Sequence, residues 1–187
     1  MSISASLLVA FVAIGLLLAL WRRVCASSIG AERKWLPKEL LDAELVYAEK
    51  IFRSGGDVPI VAKCDRGYRT KKGVIVVVEL KTRHVNRTYL SDIIELSAQR
   101  FAIQMQTGED VAEHGYVLVQ HPRSRAKFLL RVELLSNSEV IALAKRREAI
   151  LMGDATAHYA GSKRLCSKCA FSIKCNSAIE PLPQIFK

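Results

Sequence analysis

One stretch of the chain restricts the fold more than any other: Val74-Ile75-Val76-Val77-Val78, an uninterrupted run of β-branched residues. Such residues favour strands, and because no polar residue alternates with them, both faces of the strand have to be covered. We therefore predict that Gly73–Lys81 is the central strand of a sheet. Shorter strands are predicted over 58–64, 115–120 and 128–135.

Helices are predicted where apolar residues recur at intervals of three and four. This spacing indicates helices over Lys38–Phe52 and Tyr89–Met105. A third begins at Ser136, where Ser-Asn-Ser-Glu is a good start signal, and runs to about Met152. The predicted order is one helix, two or three strands, a helix, two strands and a helix. It indicates an α/β domain with a mixed central sheet flanked by helices.

The amino terminus carries an uncharged apolar run of seventeen residues, Ala5–Trp21. A helix of that length, at about 1.5 Å per residue, just reaches across a hydrocarbon core of roughly 30 Å. A secretory signal would carry positive charge before the run, whereas Arg22 and Arg23 follow it, and no convincing cleavage site comes after. A buried core helix is the other alternative. We predict a single-pass membrane anchor with the rest of the chain in the cytoplasm.

These signals divide the chain into an anchor (1–23), a linker (24–37), a core (38–152) and a cysteine-bearing tail (153–187). Every charged residue lies beyond Trp21, and the net charge is +10. That balance suits a polyanion, either nucleic acid or an anionic lipid surface, and charge alone does not separate the two. The loop residues predicted to contact phosphates are Lys71, Lys72, Arg83 and Arg87.

The tail holds three of the five cysteines in a tight pattern, Cys166-x2-Cys169-x5-Cys175. In a cytoplasmic domain such cysteines are metal or cluster ligands more often than disulfides. Thiolates suit iron–sulfur or zinc equally, and His158 offers a local fourth zinc ligand. The pattern therefore predicts a metal centre of either kind.

Two charged residues end the predicted central strand, Glu79 and Lys81, and project from one face because they are two apart. Asp65 ends the strand before, so a hairpin would bring the two carboxylates together. Adjacent carboxylates repel each other unless a cation lies between them, and Mg²⁺ prefers such ligands. A lysine beside the metal can orient the attacking water or stabilise charge on a phosphate. The bland alternative is that charged residues merely mark where a strand leaves the core.

Asp65, thirteen intervening residues and Glu79-Leu80-Lys81 together resemble the PD-(D/E)XK core of RecB-type nucleases, and most closely the CRISPR-associated exonucleases of that group. The resemblance implies a restriction-endonuclease-like core, Mg²⁺ or Mn²⁺ at the acidic pair, DNA as substrate and Gln99 as the glutamine motif of the following helix. It also implies a 4Fe–4S cluster in which Cys25 joins Cys166, Cys169 and Cys175.

Three features depart from that family. The region around Cys25 lacks the arginine-bearing pattern usual beside the first cysteine. The family's first helix usually carries a histidine ligand, but none precedes His84 here, so Glu49 or Glu44 would have to serve, or nothing does. Ile103 stands where a tyrosine usually follows the glutamine. The sequence thus indicates a membrane-anchored, divalent-metal-dependent deoxyribonuclease, an exonuclease by its resemblance. The alternatives are a nuclease-like module that binds DNA without cutting it, and a zinc-bearing membrane protein that contacts anionic lipid.

Overall fold

A computed structural model describes residues 14–17, 35–56, 58–157 and 169 of the chain. The β-branched run forms the centre of a five-stranded sheet, and Ile75 to Val78 are all buried. Strands follow one another across the sheet in chain order: β1 (Glu44–Arg53), β2 (Val61–Arg69), β3 (Ile75–Thr82), β4 (His114–Gln120) and β5 (Lys127–Glu133). The helices are α1 (Leu90–Thr107) and α2 (Asn137–Met152). The prediction of an α/β fold with a mixed sheet is confirmed.

The sheet is mixed because α1 carries the chain back between β3 and β4. These two strands pair in parallel, while the other neighbouring pairs are antiparallel. The parallel register sets Glu79 beside Val117 and Lys81 beside Val119. One face of the sheet packs against α1 through Leu96 and Ile103. The carboxyl ends of β3 and β4 therefore meet at one edge, next to the amino terminus of α1.

The predicted helix over Lys38–Phe52 is wrong. Only Lys38–Leu40 form a helical turn, of the 3-10 type, and β1 follows from Glu44. Strand β1 is irregular: its register with β2 shifts between Leu45 and Tyr47, and Glu49 has a φ of +53°. These irregularities break the two-residue alternation of apolar side chains, and the resulting spacing imitated that of a helix.

The predicted hairpin between the second and third strands is confirmed, but its turn lies elsewhere. The sequence predicted that the first of these strands ends at Asp65, whereas β2 continues to Arg69. The chain reverses between Thr70 and Val74, where the Thr70 N–H donates to Val74 O at 2.9 Å. Gly73 lies in this turn with a φ of +82°, a conformation that favours glycine. Asp65 is consequently an interior residue of its strand.

The chain divides into two compact units at residues 141 and 142, and the sheet and α1 belong to the first. The described part of the second unit comprises α2 from Ala142 onward, the residues that follow α2 up to Ala157, and Cys169. Of the predicted anchor, residues 14–17 are helical and the others lie outside the described residues. Within the part of the chain that is described, no helix is both long enough and apolar enough to cross a membrane.

Candidate active site

Asp65 and Glu79 lie side by side where β2 and β3 separate. The last recorded pair of this hairpin is Arg66 with Val78, so the next position along each strand is Asp65 on β2 and Glu79 on β3. Beyond it the strands are joined by a side chain: Asp65 Oδ2 accepts the N–H of Leu80 at 3.0 Å. Asp65 and Glu79 are therefore neighbouring positions on the two strands at one end of the hairpin, although Asp65 itself is inside a strand.

Glu49, on β1, lies opposite Asp65, but its carboxylate pairs with other residues. The pairs Ala48–Arg66 and Lys50–Cys64 flank it, which leaves Glu49 opposite Asp65. Its carboxylate binds Lys63 and lies 3.9 Å from Arg66. A positive φ at a residue other than glycine is strained, and such strain is often found at functional sites. The structure thus brings Glu49 to the neighbourhood of Asp65 while its carboxylate remains in ion pairs.

Glu79, Lys81 and Gln99 form a connected group in which Lys81 is partly exposed. Glu79 is 3% exposed and Gln99 fully buried. Lys81 Nζ lies 2.7 Å from Glu79 Oε1, and Gln99 Nε2 donates to Glu79 Oε2 at 2.6 Å. Both oxygens of the glutamate are therefore occupied, one by a cation and one by an amide. Of the residues named from the sequence, Glu79 is thus in direct contact with both Lys81 and Gln99.

Helix α1 continues this pattern as a ladder of polar contacts with β3. Asp92, Glu95 and Gln99 follow one face of the helix at intervals of three and four. Asp92 contacts Arg83, just beyond β3. Glu95 contacts Lys81 and Gln99 contacts Glu79, both on β3. Sequence reasoning missed Asp92 and Glu95. A usable signal existed, because a stripe of polar residues on a helix that follows a charged strand end predicts such pairing.

The Arg83–Asp92 contact fixes the start of α1. Arg83 Nη2 and Nη1 donate to the two carboxylate oxygens at 2.8 and 3.0 Å, and Asp92 also accepts the N–H of Tyr89 at 2.9 Å. Burial would raise the pKa of Asp92, but the Arg83 and Tyr89 hydrogen bonds hold it below its usual value. The side chain of Arg83 is thus largely committed to the fold.

Charged groups at the centre of the site shift the pKa values of one another. Glu79 and Glu95 flank Lys81, whose pKa burial would lower but whose hydrogen bonds to Glu79 and Glu95 raise it. Burial raises the pKa of Glu79 to about 7; Lys81 and Gln99 oppose this effect, while Asp65 and Glu95 add to it. Burial and the neighbouring carboxylates of Asp65 and Glu95 thus disfavour the charged form of Glu79, and a cation at this carboxylate would favour it.

The donor set fits a hard divalent cation. Asp65 and Glu79 supply adjacent carboxylates, and Gln99 Oε1 is buried without a hydrogen-bond partner, so a metal-bound water could donate to it. Among the described residues, no group of three or more His, Cys, Asp or Glu side chains gathers as a metal site. Two protein carboxylates, with waters and substrate phosphates as the other ligands, are the usual arrangement for Mg²⁺.

The predicted phosphate-contacting residues fall at two opposite ends of the sheet. Arg83 and Arg87 lie beside the site, and both guanidinium groups lie against the ring of Tyr89, at 4.9 and 4.5 Å. Lys71 and Lys72 lie in the β2–β3 turn, at least four strand residues from Asp65, or about 13 Å. Lys71 pairs with Asp42 at 2.7 Å. The structure therefore does not place these two lysines around the site.

A second basic loop does lie at the edge of the site. Residues 121–126 connect β4 to β5, and the backbone of Arg83 donates to Gln120 O at 3.2 Å, which joins this loop to the one after β3. Neither connection contains an acidic residue. His84 lies in the loop after β3 and His121 in the loop after β4, and their rings are 5.2 Å apart. The basic side chains of this second loop and the start of β5 are Arg123, Arg125 and Lys127.

Of the predicted cluster cysteines, only Cys169 is described, and its thiol is exposed and free. Cys25, Cys166 and Cys175 lie outside the described residues, so the cluster stays a prediction. Cys64 is fully buried in the core next to Asp65, and burial raises the pKa of its thiol to about 12. It is therefore a core residue.

The raised pKa of Glu79 predicts a pH-dependent stability. The folded chain holds the proton up to about pH 7, whereas the unfolded chain releases it near 4.5. The stabilisation is therefore complete below the lower value and is lost as pH rises through the upper one. We expect the Tm of the metal-free chain to fall across this window, and Mn²⁺ to raise the Tm more at about pH 8 than at about pH 5. Differential scanning fluorimetry of the native chain and Glu79→Gln measures both; an equal slope in the variant would contradict the assignment.

Among known proteins, no family profile matches the chain, and no curated protein matches it either. Among solved structures, the protein designated SSO0001 is 16% identical, with a TM-score of 0.47 over 95% of this chain and 79% of that one. A protein from Eubacterium rectale named "Putative exonuclease" is 11% identical, with a TM-score of 0.43 over 84% of this chain and 62% of its own. Because both TM-scores are below 0.5, the function has to be inferred from the side chains of the site.

Proposed function

We propose that the chain is a divalent-metal-dependent nuclease that hydrolyses phosphodiester bonds in DNA. The observation that carries the proposal is the contact of Glu79 with both Lys81 and Gln99, beside a second carboxylate, Asp65. A buried glutamate with a raised pKa, next to another acid and a lysine, is a costly arrangement for a purely structural group. It is useful where a cation, a water and a phosphate have to be held together.

Each residue has a distinct part in the proposed reaction. Asp65 and Glu79 would hold Mg²⁺ or Mn²⁺, which supplies Lewis-acid polarisation of the phosphate and a more acidic water. Lys81 places a positive charge beside that position, where it can orient the water and stabilise charge that develops on the phosphate oxygens. Gln99 fixes one oxygen of Glu79 from within the core.

Two acid-free connections support nucleic acid as the partner. They follow β3 and β4, both leave the sheet at the edge that holds the site, and they carry Arg87, Arg123 and Arg125. Arginines on such loops contact phosphates independently of sequence and lose affinity as salt rises. That the substrate is DNA rather than RNA, and that it is digested from an end, rests on the family resemblance.

The terminal segments extend this proposal. We propose that Cys25, Cys166, Cys169 and Cys175 hold a 4Fe–4S cluster, with zinc as the alternative, and that it has a structural role because hydrolysis requires no electron transfer. The amino-terminal helix would anchor the chain in a membrane and leave the nuclease in the cytoplasm. Iron and zinc analysis of the purified chain separates the two metals: stoichiometric zinc without iron would exclude the cluster.

The decisive experiment is hydrolysis by the full-length chain in mild detergent. We expect end-labelled linear single- and double-stranded DNA to be cut with Mg²⁺ or Mn²⁺, and cutting to stop with EDTA. Covalently closed circles of the same sequence serve as the control for attack at ends, and an RNA of that sequence serves for sugar preference. Binding of DNA without cutting under every metal condition would instead favour the binding module that the sequence also allows.

A further inference from the structure

Lys81 has carboxylate partners on two different elements. Its Nζ lies 2.7 Å from Glu79 Oε1 on β3 and 2.7 Å from Glu95 Oε2 on α1. The two partners differ in their surroundings: the side chain of Glu79 is 4% exposed, that of Glu95 47%. The lysine therefore joins the interior of the site to its solvent-facing side.

A divalent cation at Glu79 would disturb the inner of these contacts. One oxygen of Glu79 accepts from Gln99 and the other is paired with Lys81. The buried amide is neutral and can remain, whereas the ammonium group is repelled by a cation that shares its carboxylate. Of the two contacts that Lys81 makes, the one with Glu95 is then the one that survives.

We propose that Glu95 is a positioning residue that keeps Lys81 in the site once the metal has taken Glu79. This inference rests on the proposed nuclease function. Without Glu95, the flexible four-carbon stem of Lys81 lets the ammonium group move into solvent, away from both the metal and the phosphate. With Glu95, the ammonium group stays beside the acidic pair, on the solvent-facing side of the site.

The surroundings of Glu95 make it suitable for this task. It lies three residues after Asp92, which is bonded to Arg83 just beyond β3, and four before Gln99, which is bonded to β3 itself. The helical turn that carries Glu95 is therefore held at both ends. A half-exposed ion pair contributes little to stability, so the value of this contact lies in where it holds the lysine.

The direct test is NMR of the lysine side-chain ammonium groups in the ¹⁵N-lysine-labelled full-length chain. Lys81→Arg identifies the signal of Lys81 by its disappearance. Before metal is added, both the native chain and Glu95→Gln should show a hydrogen-bonded Lys81 signal, because Glu79 holds it. With saturating Mg²⁺, the native signal should persist and that of Glu95→Gln should broaden beyond detection. Signals that respond alike to Mg²⁺ would overturn the proposal.

Kinetics and metal binding complete the test. We expect Glu95→Gln to lower kcat by about 10- to 100-fold, a usual effect for one misplaced charged group, with the KM for DNA within about threefold. Calorimetric Mn²⁺ affinity should also stay within about threefold, since Glu95 is not a ligand. A loss of Mn²⁺ affinity of tenfold or more (about 1.4 kcal/mol) would make Glu95 a metal ligand and overturn the positioning role, as would an unchanged kcat.

Glu113→Gln is the matched control. It removes the same charge from a side chain that is 87% exposed, immediately before β4 and so at the other edge of the sheet. The Lys81 NMR signal, the kcat and the Mn²⁺ affinity of Glu113→Gln should all match those of the native chain. If the native chain cuts no nucleic acid, the proposed function fails, yet the NMR response to Mg²⁺ still decides whether Glu95 retains Lys81.

Discussion

Asp65→Asn is expected to abolish DNA hydrolysis while leaving the fold intact or slightly more stable. Asn has the same shape, and its amide oxygen can still accept the Leu80 N–H that Asp65 accepts at 3.0 Å. The substitution removes a negative charge that raises the pKa of Glu79, so Glu79 ionises more easily. In metal-free buffer at neutral pH, the Tm should therefore be equal to or above that of the native chain.

Catalysis should respond in the opposite direction. Loss of a carboxylate ligand weakens the binding of the metal that polarises the phosphate. That polarisation is worth several kcal/mol, so kcat should fall by at least about 10³-fold. Single-turnover assays and calorimetric Mn²⁺ binding measure the two effects. Asp65→Ala is the comparison, because it also removes the acceptor of the Leu80 N–H and should lower the Tm. Retention of a tenth or more of native activity by Asp65→Asn would contradict the assignment of Asp65 as a ligand.

The centre of the fold could be predicted because its signals are local. The run Val74–Val78 predicts a strand covered on both faces, and Leu90 to Met105 repeat at helical spacing. Both were found, as β3 and α1. Strand β1 could not be predicted in the same way. Its register shift after Leu45 and the positive φ at Glu49 depend on pairing with β2, so they leave no simple periodicity in the sequence.

The sequence named the central residues of the candidate site but not all of its members. Asp65, Glu79, Lys81 and Gln99 were singled out from spacing and resemblance; in the structure Glu79 contacts Lys81 and Gln99, and Asp65 is its neighbour on β2. Glu95 was not predicted, because its role depends on the rotation of α1 relative to β3. Lys71 and Lys72 show the converse error: proximity along the chain suggested proximity to the site, but the hairpin turns them to the far end of the strand.

Lys81→Met is expected to separate metal binding from catalysis. Met keeps the length and apolar stem of the side chain but removes the ammonium group that lies 2.7 Å from Glu79 and from Glu95. The site then becomes more negative, so Mn²⁺ affinity should be equal to or tighter than that of the native chain. The loss of a charged hydrogen bond to a buried carboxylate should lower the stability of the metal-free chain by about 1–3 kcal/mol, and Mn²⁺ should restore it.

Hydrolysis by Lys81→Met should nevertheless fall by about 10²- to 10⁴-fold, since the charge beside the reacting phosphate is gone. Lys81→Arg is the control: it keeps the charge but replaces the compact ammonium group with a planar one, so it should recover stability more than activity. A Lys81→Met chain that binds Mn²⁺ and DNA and does not cut would assign Lys81 to the chemical step. One that cuts at the native rate would leave the acidic pair as a metal site with no dedicated lysine, and the proposed mechanism would have to be abandoned.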